Sequence, residues 1–249
     1  MCNCVKGVEI KLILLYVFQT HIIIMLKSTY NPENQYEIGV DEAGRGPLFG
    51  RLYVAAVILP KEGFNNPNIK DSKKIKSKKK MLELSEYIKQ NAHAWAIHYI
   101  EHDVIDQINI RQAVFQGMHE CIRQCITPIN VFEEKTFLLI DGNDFKPFST
   151  YDKDTDQLKT LPYETIEQGD NTYQAIAAAS ILAKAARDQY IEDLCSKHPQ
   201  LSERYKLQDN KGYGTAAHLA GIMEHGITQW HRRTYARCNN AVYAPLVES

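Results

Sequence analysis

The apolar positions of residues 36–40 alternate. Tyr36, Ile38 and Val40 fall on one side and shorter or polar residues on the other, the period of a strand with one buried face. A glycine-rich turn follows, and residues 51–59, RLYVAAVIL, predict a second strand, the hairpin partner of the first. Residues 77–90 carry Met81, Leu84 and Ile88 at helical spacing, and residues 112–125 carry Val114, Met118, Cys121 and Cys125 likewise, so each predicts an amphipathic helix. Between them, residues 94–100 predict a third strand. Residues 136–140, TFLLI, predict a short buried strand, and residues 161–168 a last one. The polar, aspartate-rich stretch 145–161 predicts a mobile, turn-forming segment. A long helix is predicted over 173–195, alanine-rich from 175 to 186, and beyond residue 197 short helices alternate with loops. Strands interleaved with helices in this order make an α/β architecture.

The chemistry collects at the strand ends. The first strand delivers two adjacent carboxylates, Asp41 and Glu42, into a loop holding Gly44, Arg45, Gly46 and Gly50. Adjacent acids stay ionised side by side only where a cation or strong donors compensate. Glycines beside them let a ligand approach the backbone. The pattern points to oxygen ligands for a hard metal, and to bare amides with one arginine for a phosphate-bearing substrate. A tight turn carrying two solvated acids explains the same letters, so on spacing alone both readings stand. A dinucleotide loop does not, because the G-x-G-x-x-G spacing and a following helical pattern are missing.

The strand TFLLI repeats the layout, running into Asp141 and Gly142. In an open α/β sheet such strand ends converge on one crevice, where a third acid would serve a two-metal centre. Asp170, after Gly169, reads as a ligand or a helix N-cap, and Asp188, beside Arg187, as a ligand or an ion-pair partner. Residues 70–80 hold seven lysines, Lys73 among them, which read as a solvated face at a helix start or a phosphate-contact patch. Tyr213 lies between two glycines, and further on come His231, Arg232, Arg233, Tyr235 and Arg237. An exposed ring beside cations suits stacking on a sugar or base.

Composition narrows the class. With 249 residues, 44% apolar and 24% charged, the chain is globular rather than disordered. Its net charge of −1 gives no global attraction to nucleic acid, so any such binding must come from local patches. The six cysteines form no C-x-x-C pair, which predicts free thiols and a reducing compartment. Residues 10–26 are strongly apolar but broken by Lys11 and by Gln19, Thr20 and His21, short of the ~20 clean residues of a spanning helix. They read as an extra element or a non-essential extension rather than a membrane anchor.

Seven motifs now stand in order: VDEAGRGPL at 40–48, DSKK at 71–74, INI at 108–110, LIDG at 139–142, GD at 169–170, AASILAK at 178–184 with Arg187-Asp188, and KGYGT at 211–215. Together they resemble the ribonuclease HII family of type 2 ribonucleases H, over residues 36–240. Ribonuclease HIII carries a different loop after the acids and a longer amino-terminal domain. The resemblance implies a ribonuclease H-like fold, a mixed central sheet flanked by helices, with a small helical carboxy-terminal part. It divides the chain into an apolar extension (1–30), a catalytic domain (31–196) and a substrate-binding part (197–249). It implies an endonuclease that cuts the RNA strand of RNA/DNA hybrids and nicks at single ribonucleotides in duplex DNA. Asp41, Glu42, Asp141 and Asp170 match the family's four carboxylates, holding two Mg²⁺ or Mn²⁺ ions, and Asp188 becomes structural. Gly44, Arg45 and Gly46 match the loop that reads the 2′-hydroxyl, Tyr213 the tyrosine against the junction sugar, and Lys73 and Lys184 positions near substrate phosphates. One departure is Gln168, where the family usually has lysine. A cytoplasmic monomer is expected, with no membrane partner and a sliding-clamp partner left open. A catalytically silent nucleic-acid-binding protein and a different metal nuclease of this fold are the competing classes.

Overall fold

The structure, a computed structural model, describes residues 26–64, 66–69, 72, 75, 77–127, 129 and 135–246. Lys73 and most of the apolar stretch 10–26 lie outside the described residues. The elements run β1 (Tyr36–Ala43), β2 (Leu52–Ile58), α1 (Lys78–Asn91), β3 (Ala94–Ile100), α2 (His102–Ile108), α3 (Ile110–Ile126) and β4 (Thr136–Asp141). Then come β5 (Ser149–Asp152), β6 (Gln157–Thr160), β7 (Tyr163–Ile166), a 3₁₀ turn (Gly169–Asn171), α4 (Gln174–Lys197), α5 (Gln200–Tyr205), α6 (Leu207–Asn210) and α7 (Ala216–His225).

Five strands form one mixed sheet in the order β3-β2-β1-β4-β7. β1 and β2 are the expected antiparallel hairpin, β2 pairs antiparallel with β3, and β4 lies parallel to both β1 and β7. Helices cover both faces. Ile38, Val40, Val54 and Ala56 pack on Ala113, Met118, Cys121 and Ile122 of α3. Ala55 and Val57 pack on Met81, Leu84 and Ile88 of α1 and on Ala178, Ile181 and Leu182 of α4. Burial on both faces is why β2 reads as an unbroken apolar run rather than an alternation.

The alanines of α4 have a geometric reason. A Cβ on Gly39, in the middle of β1, would lie 2.2 Å from the carbonyl carbon of Ala175. The helix therefore meets the central strand at backbone contact, which only glycine below and small residues above permit.

The stretch 145–161, expected to form turns, builds a strand on either side of one. It forms an antiparallel hairpin, β5 to β6, with Tyr151 opposite Leu158. The Asp152 carboxylate ties the turn, accepting from the Asp154 amide at 3.0 Å, the Thr155 hydroxyl at 2.7 Å and the Lys159 ammonium at 2.5 Å. The Lys159 and Thr155 bonds hold its pKa down to about 2. Polar side chains that bond the backbone locally, rather than apolar alternation, make this hairpin.

The tail packs around the glycine loop. Leu201, Tyr205, Leu207, Ile222 and Ile227 share one cluster with Leu48, Phe49 and Ile191. Backbone bonds lace the two together: Leu48 N–H to Gly212 O at 2.9 Å, Gly50 N–H to Trp230 O at 2.9 Å and Arg232 N–H to Leu48 O at 2.8 Å. No helix among the described residues is long and apolar enough to cross a membrane.

Candidate active site

Register brings the acids together. Val40 of β1 pairs with Ile140 of β4 in parallel, so the next residues, Asp41 and Asp141, end neighbouring strands about 4.8 Å apart. Both share the parity of Gly39 and Leu139 and so face α4. From α4, Ser180 hydrogen-bonds the Asp41 carboxylate. Ser72 shares a hydrogen bond with Ser180 at 2.9 Å. The Glu42 amide also donates to Asp41 Oδ1, at 2.7 Å. Burial, then the charges of Glu42 and Asp141, push the Asp41 carboxyl well above its ordinary range.

Asp141 Oδ1 accepts the Gly169 amide at 2.8 Å. Gly142, at a φ of 98°, turns the chain away just after the carboxylate. The next residue after Gly169, Asp170, is 3% exposed in the 3₁₀ turn, with its Oδ1 accepting from Asn171 Nδ2 at 3.2 Å. It is not the helix cap: the N-cap of α4 is Tyr173. Asp41, Glu42 and Asp141 line a cleft of about 390 Å³ together with Gly44, Arg45, Gly46, Lys184, Asp188 and Tyr213; Asp170, which is buried, is not among its lining residues.

The other expected residues fall around this floor. Arg45 pairs with Glu42 at 3.7 Å. Lys184 pairs with Asp188 at 2.7 Å, so Asp188 is an ion-pair partner one helical turn on. Tyr213 is 51% exposed, and a Cβ on Gly46 would lie 3.7 Å from its ring, so loop and tyrosine form facing walls. The basic cluster of the tail divides: Arg233 and Arg237 are exposed, whereas His231 and Arg232 are fully buried. Lys78, in the lysine run, pairs with Glu192 of α4, as does Lys211 at 2.9 Å.

Sequence reasoning missed two buried guanidiniums. Arg187, 2% exposed, donates to the carbonyls of Lys211 at 2.9 Å, Phe49 at 3.2 Å and Arg51 at 3.3 Å, and its Nε would lie 2.2 Å from a Cβ on Gly44. Burial, then the cation of Arg232, lower its pKa to about 10, which leaves it charged at neutral pH. With Lys184, Asp188 and Gln189 around it, Arg187 carries no signal of burial in the sequence. Arg232, in the tail, donates to the Gly44 carbonyl of the same loop at 2.7 Å.

The donor chemistry fits hard divalent ions: carboxylate oxygens gather at the cleft floor, and the mutual repulsion felt by Asp41 is what a cation relieves. Among the described residues no three His, Cys, Asp or Glu side chains already stand at coordinating distance of one point. Neighbouring carboxylates without a counter-charge have no reason to close up.

A mixed sheet whose central parallel strands end in carboxylates beneath a covering helix places the protein among the ribonuclease H-like nucleases, metal-dependent hydrolases of nucleic acid. A family model described as ribonuclease HII matches residues 38–239. A ribonuclease HII of Parabacteroides distasonis is 43% identical over 206 residues, 83% of this chain and 92% of that one. The crystal structure of ribonuclease H2 from Pyrococcus horikoshii shares the fold, with a TM-score of 0.63 at 19% identity over 82% of this chain and 95% of that one. The structure of Bst-RNase HIII in complex with Mn²⁺ shares it with a TM-score of 0.56 at 18% identity over 84% and 70% of the two chains. This chain belongs to the ribonuclease HII family.

Proposed function

We propose that the protein hydrolyses the RNA strand of RNA/DNA hybrids and nicks DNA duplexes at single embedded ribonucleotides, leaving 5′-phosphate and 3′-hydroxyl ends. The observation that carries this reading is the pairing of Val40 with Ile140, which sets Asp41 beside Asp141 on the floor of a cleft walled by the Gly44–Gly46 loop and Tyr213.

Asp41, Glu42 and Asp141 are the metal-binding carboxylates in this reading, with Asp170 joining them through the turn that already bonds Asp141. Two Mg²⁺ or Mn²⁺ ions, when bound, supply an activated water and charge stabilisation at the leaving 3′-oxygen. Ser180 and the Glu42 amide orient Asp41, and the Gly169 amide orients Asp141, so neither carboxylate is left to swing. Lys184 contributes positive charge beside the floor for the scissile phosphate. The loop amides sense the 2′-hydroxyl, the group that distinguishes RNA from DNA, and Tyr213 packs on the sugar.

A labelled DNA duplex holding one ribonucleotide, incubated with and without Mg²⁺, tests the reading. One nick beside the ribonucleotide is expected, only with metal. Cutting throughout the DNA would point to another nuclease, and no cutting to a binding protein. The variant Asp41→Asn is expected to lose cleavage by at least roughly 10²–10³-fold while still binding the hybrid; cleavage near the wild-type rate would remove the metal assignment.

A further inference from the structure

The two walls of the cleft come from distant parts of the chain, yet adjacent residues of the tail hold both. Arg232 is fully buried, and its guanidinium donates to Gly44 O at 2.7 Å, Gly50 O at 3.0 Å and Arg45 O at 3.2 Å. It also donates to the Tyr235 hydroxyl at 2.9 Å, which passes its own proton to Arg45 O at 2.7 Å. In a planar trans peptide the N–H points opposite to the C=O of the same unit. Drawing the Gly44 and Arg45 carbonyls toward Arg232 therefore turns the Arg45 and Gly46 amides away from it. The inward pull sets the outward face of the loop.

His231 reaches the other wall. The Thr228 amide donates to His231 Nδ1 at 3.0 Å, so that nitrogen is the acceptor and Nε2 carries the proton. His231 Nε2 then lies 3.1 Å from His218 Nε2, and His218 Nδ1 lies 3.0 Å from Tyr213 O. A single tautomer pair satisfies the whole chain: His231 donates to His218, and His218 donates to the Tyr213 carbonyl. Both rings are fully buried.

We propose that His231 and Arg232 are positioning residues that clamp the glycine loop and Tyr213 at one fixed separation, and that this separation sets the preference for ribose over deoxyribose. The proposal rests on the reading above, in which those two walls touch the sugar. A guanidinium suits the task because its donors are fixed in one plane, and an ammonium at the same place cannot hold three loop carbonyls in the same geometry.

The test compares the full-length wild type with Arg232→Lys, Tyr235→Phe, His231→Gln and Tyr213→Ala. Affinities are measured in EDTA, where no cleavage occurs, for two DNA duplexes identical except for one ribonucleotide, with thermal unfolding run on each variant. The ratio of the two affinities is expected to fall roughly tenfold in Arg232→Lys, the scale of a lost charge-assisted hydrogen bond, and by less in Tyr235→Phe and His231→Gln. Affinity for the all-DNA duplex is expected to stay within about twofold, which a general loosening of the fold would not allow. Tyr235→Phe removes a single hydroxyl on a partly exposed side chain, and it decides the matter if Arg232→Lys fails to fold. Discrimination kept in Tyr235→Phe and in every folded clamp variant, but lost in Tyr213→Ala, would overturn this proposal alone. A wild type that binds both duplexes equally would remove the ribose-slot reading, and this proposal with it.

Discussion

Asp41, a metal ligand in the proposed function, shows how little of such a residue resides in its own side chain. Its carboxyl is buried, faces two neighbouring acids, and is held by Ser180, whose own hydroxyl is held by Ser72. The letters D-E at the end of a strand were legible; the serines behind them were not, because hydroxyls distant in sequence give no periodic signal. The histidine pair gives a residue-scale prediction. Burial, then neighbouring His218, lower the His231 pKa to about 3, and burial lowers that of His218 as well. An unfolded histidine titrates near ~6.5, so below that pH the unfolded chain binds protons that the folded chain refuses. Stability is therefore present above about pH 6.5 and is lost as the pH falls from there toward 3, by at most about 1.4 kcal/mol per pH unit for each histidine. Urea unfolding between pH 7 and 5 should show a steeper loss for the wild type than for His231→Gln, and parallel slopes would contradict it.

At the scale of elements, the close approach of α4 to β1 fixes where the proposed catalytic face lies. Gly39→Ala would force a methyl within 2.2 Å of the Ala175 carbonyl carbon. It is expected to destabilise by about 1–3 kcal/mol or more and to shift Asp41 relative to Ser180. Denaturant midpoints and cleavage rate should fall together; an unchanged midpoint would mean that the helix can retreat. The strands and amphipathic helices were readable because one buried face imposes a period. The β5–β6 hairpin escaped because its order comes from Asp152 bonding its own turn, a pattern that spells loop in any compositional reading. In the sequence His231, Arg232, Arg233, Tyr235 and Arg237 stand as one basic-aromatic cluster. Nothing in the spacing of His231 and Arg232 reveals that a buried imidazole and backbone carbonyls, rather than solvent or phosphate, receive their protons.

Across the whole molecule, a net charge of −1 means that recognition is local. Two of the cations nearest the glycine loop, Arg187 and Arg232, are spent inside the protein on backbone carbonyls, and in the proposed function Arg45 and Lys184, which line the cleft, are the cations left to meet phosphates. Low total charge with a few facing cations predicts hybrid binding with a shallow salt dependence, each lost phosphate contact reducing the slope by about 0.9 for a B-form duplex. Titrating binding between low and physiological salt checks this, and a slope typical of many contacts would show a wider basic surface at work.

The thiols of α3 carry a further consequence. Cys121 Sγ donates to Val54 O at 3.2 Å and Cys125 Sγ to Ala56 O at 3.4 Å, and burial raises both pKa values, that of Cys125 to about 12. Neither sulfur can become a thiolate, or meet a reagent, until the helix lifts from the strand beneath it. The protein thus carries its own clock for that event: the alkylation rate at these two positions, read peptide by peptide in a mass spectrometer, counts how often the interior parts.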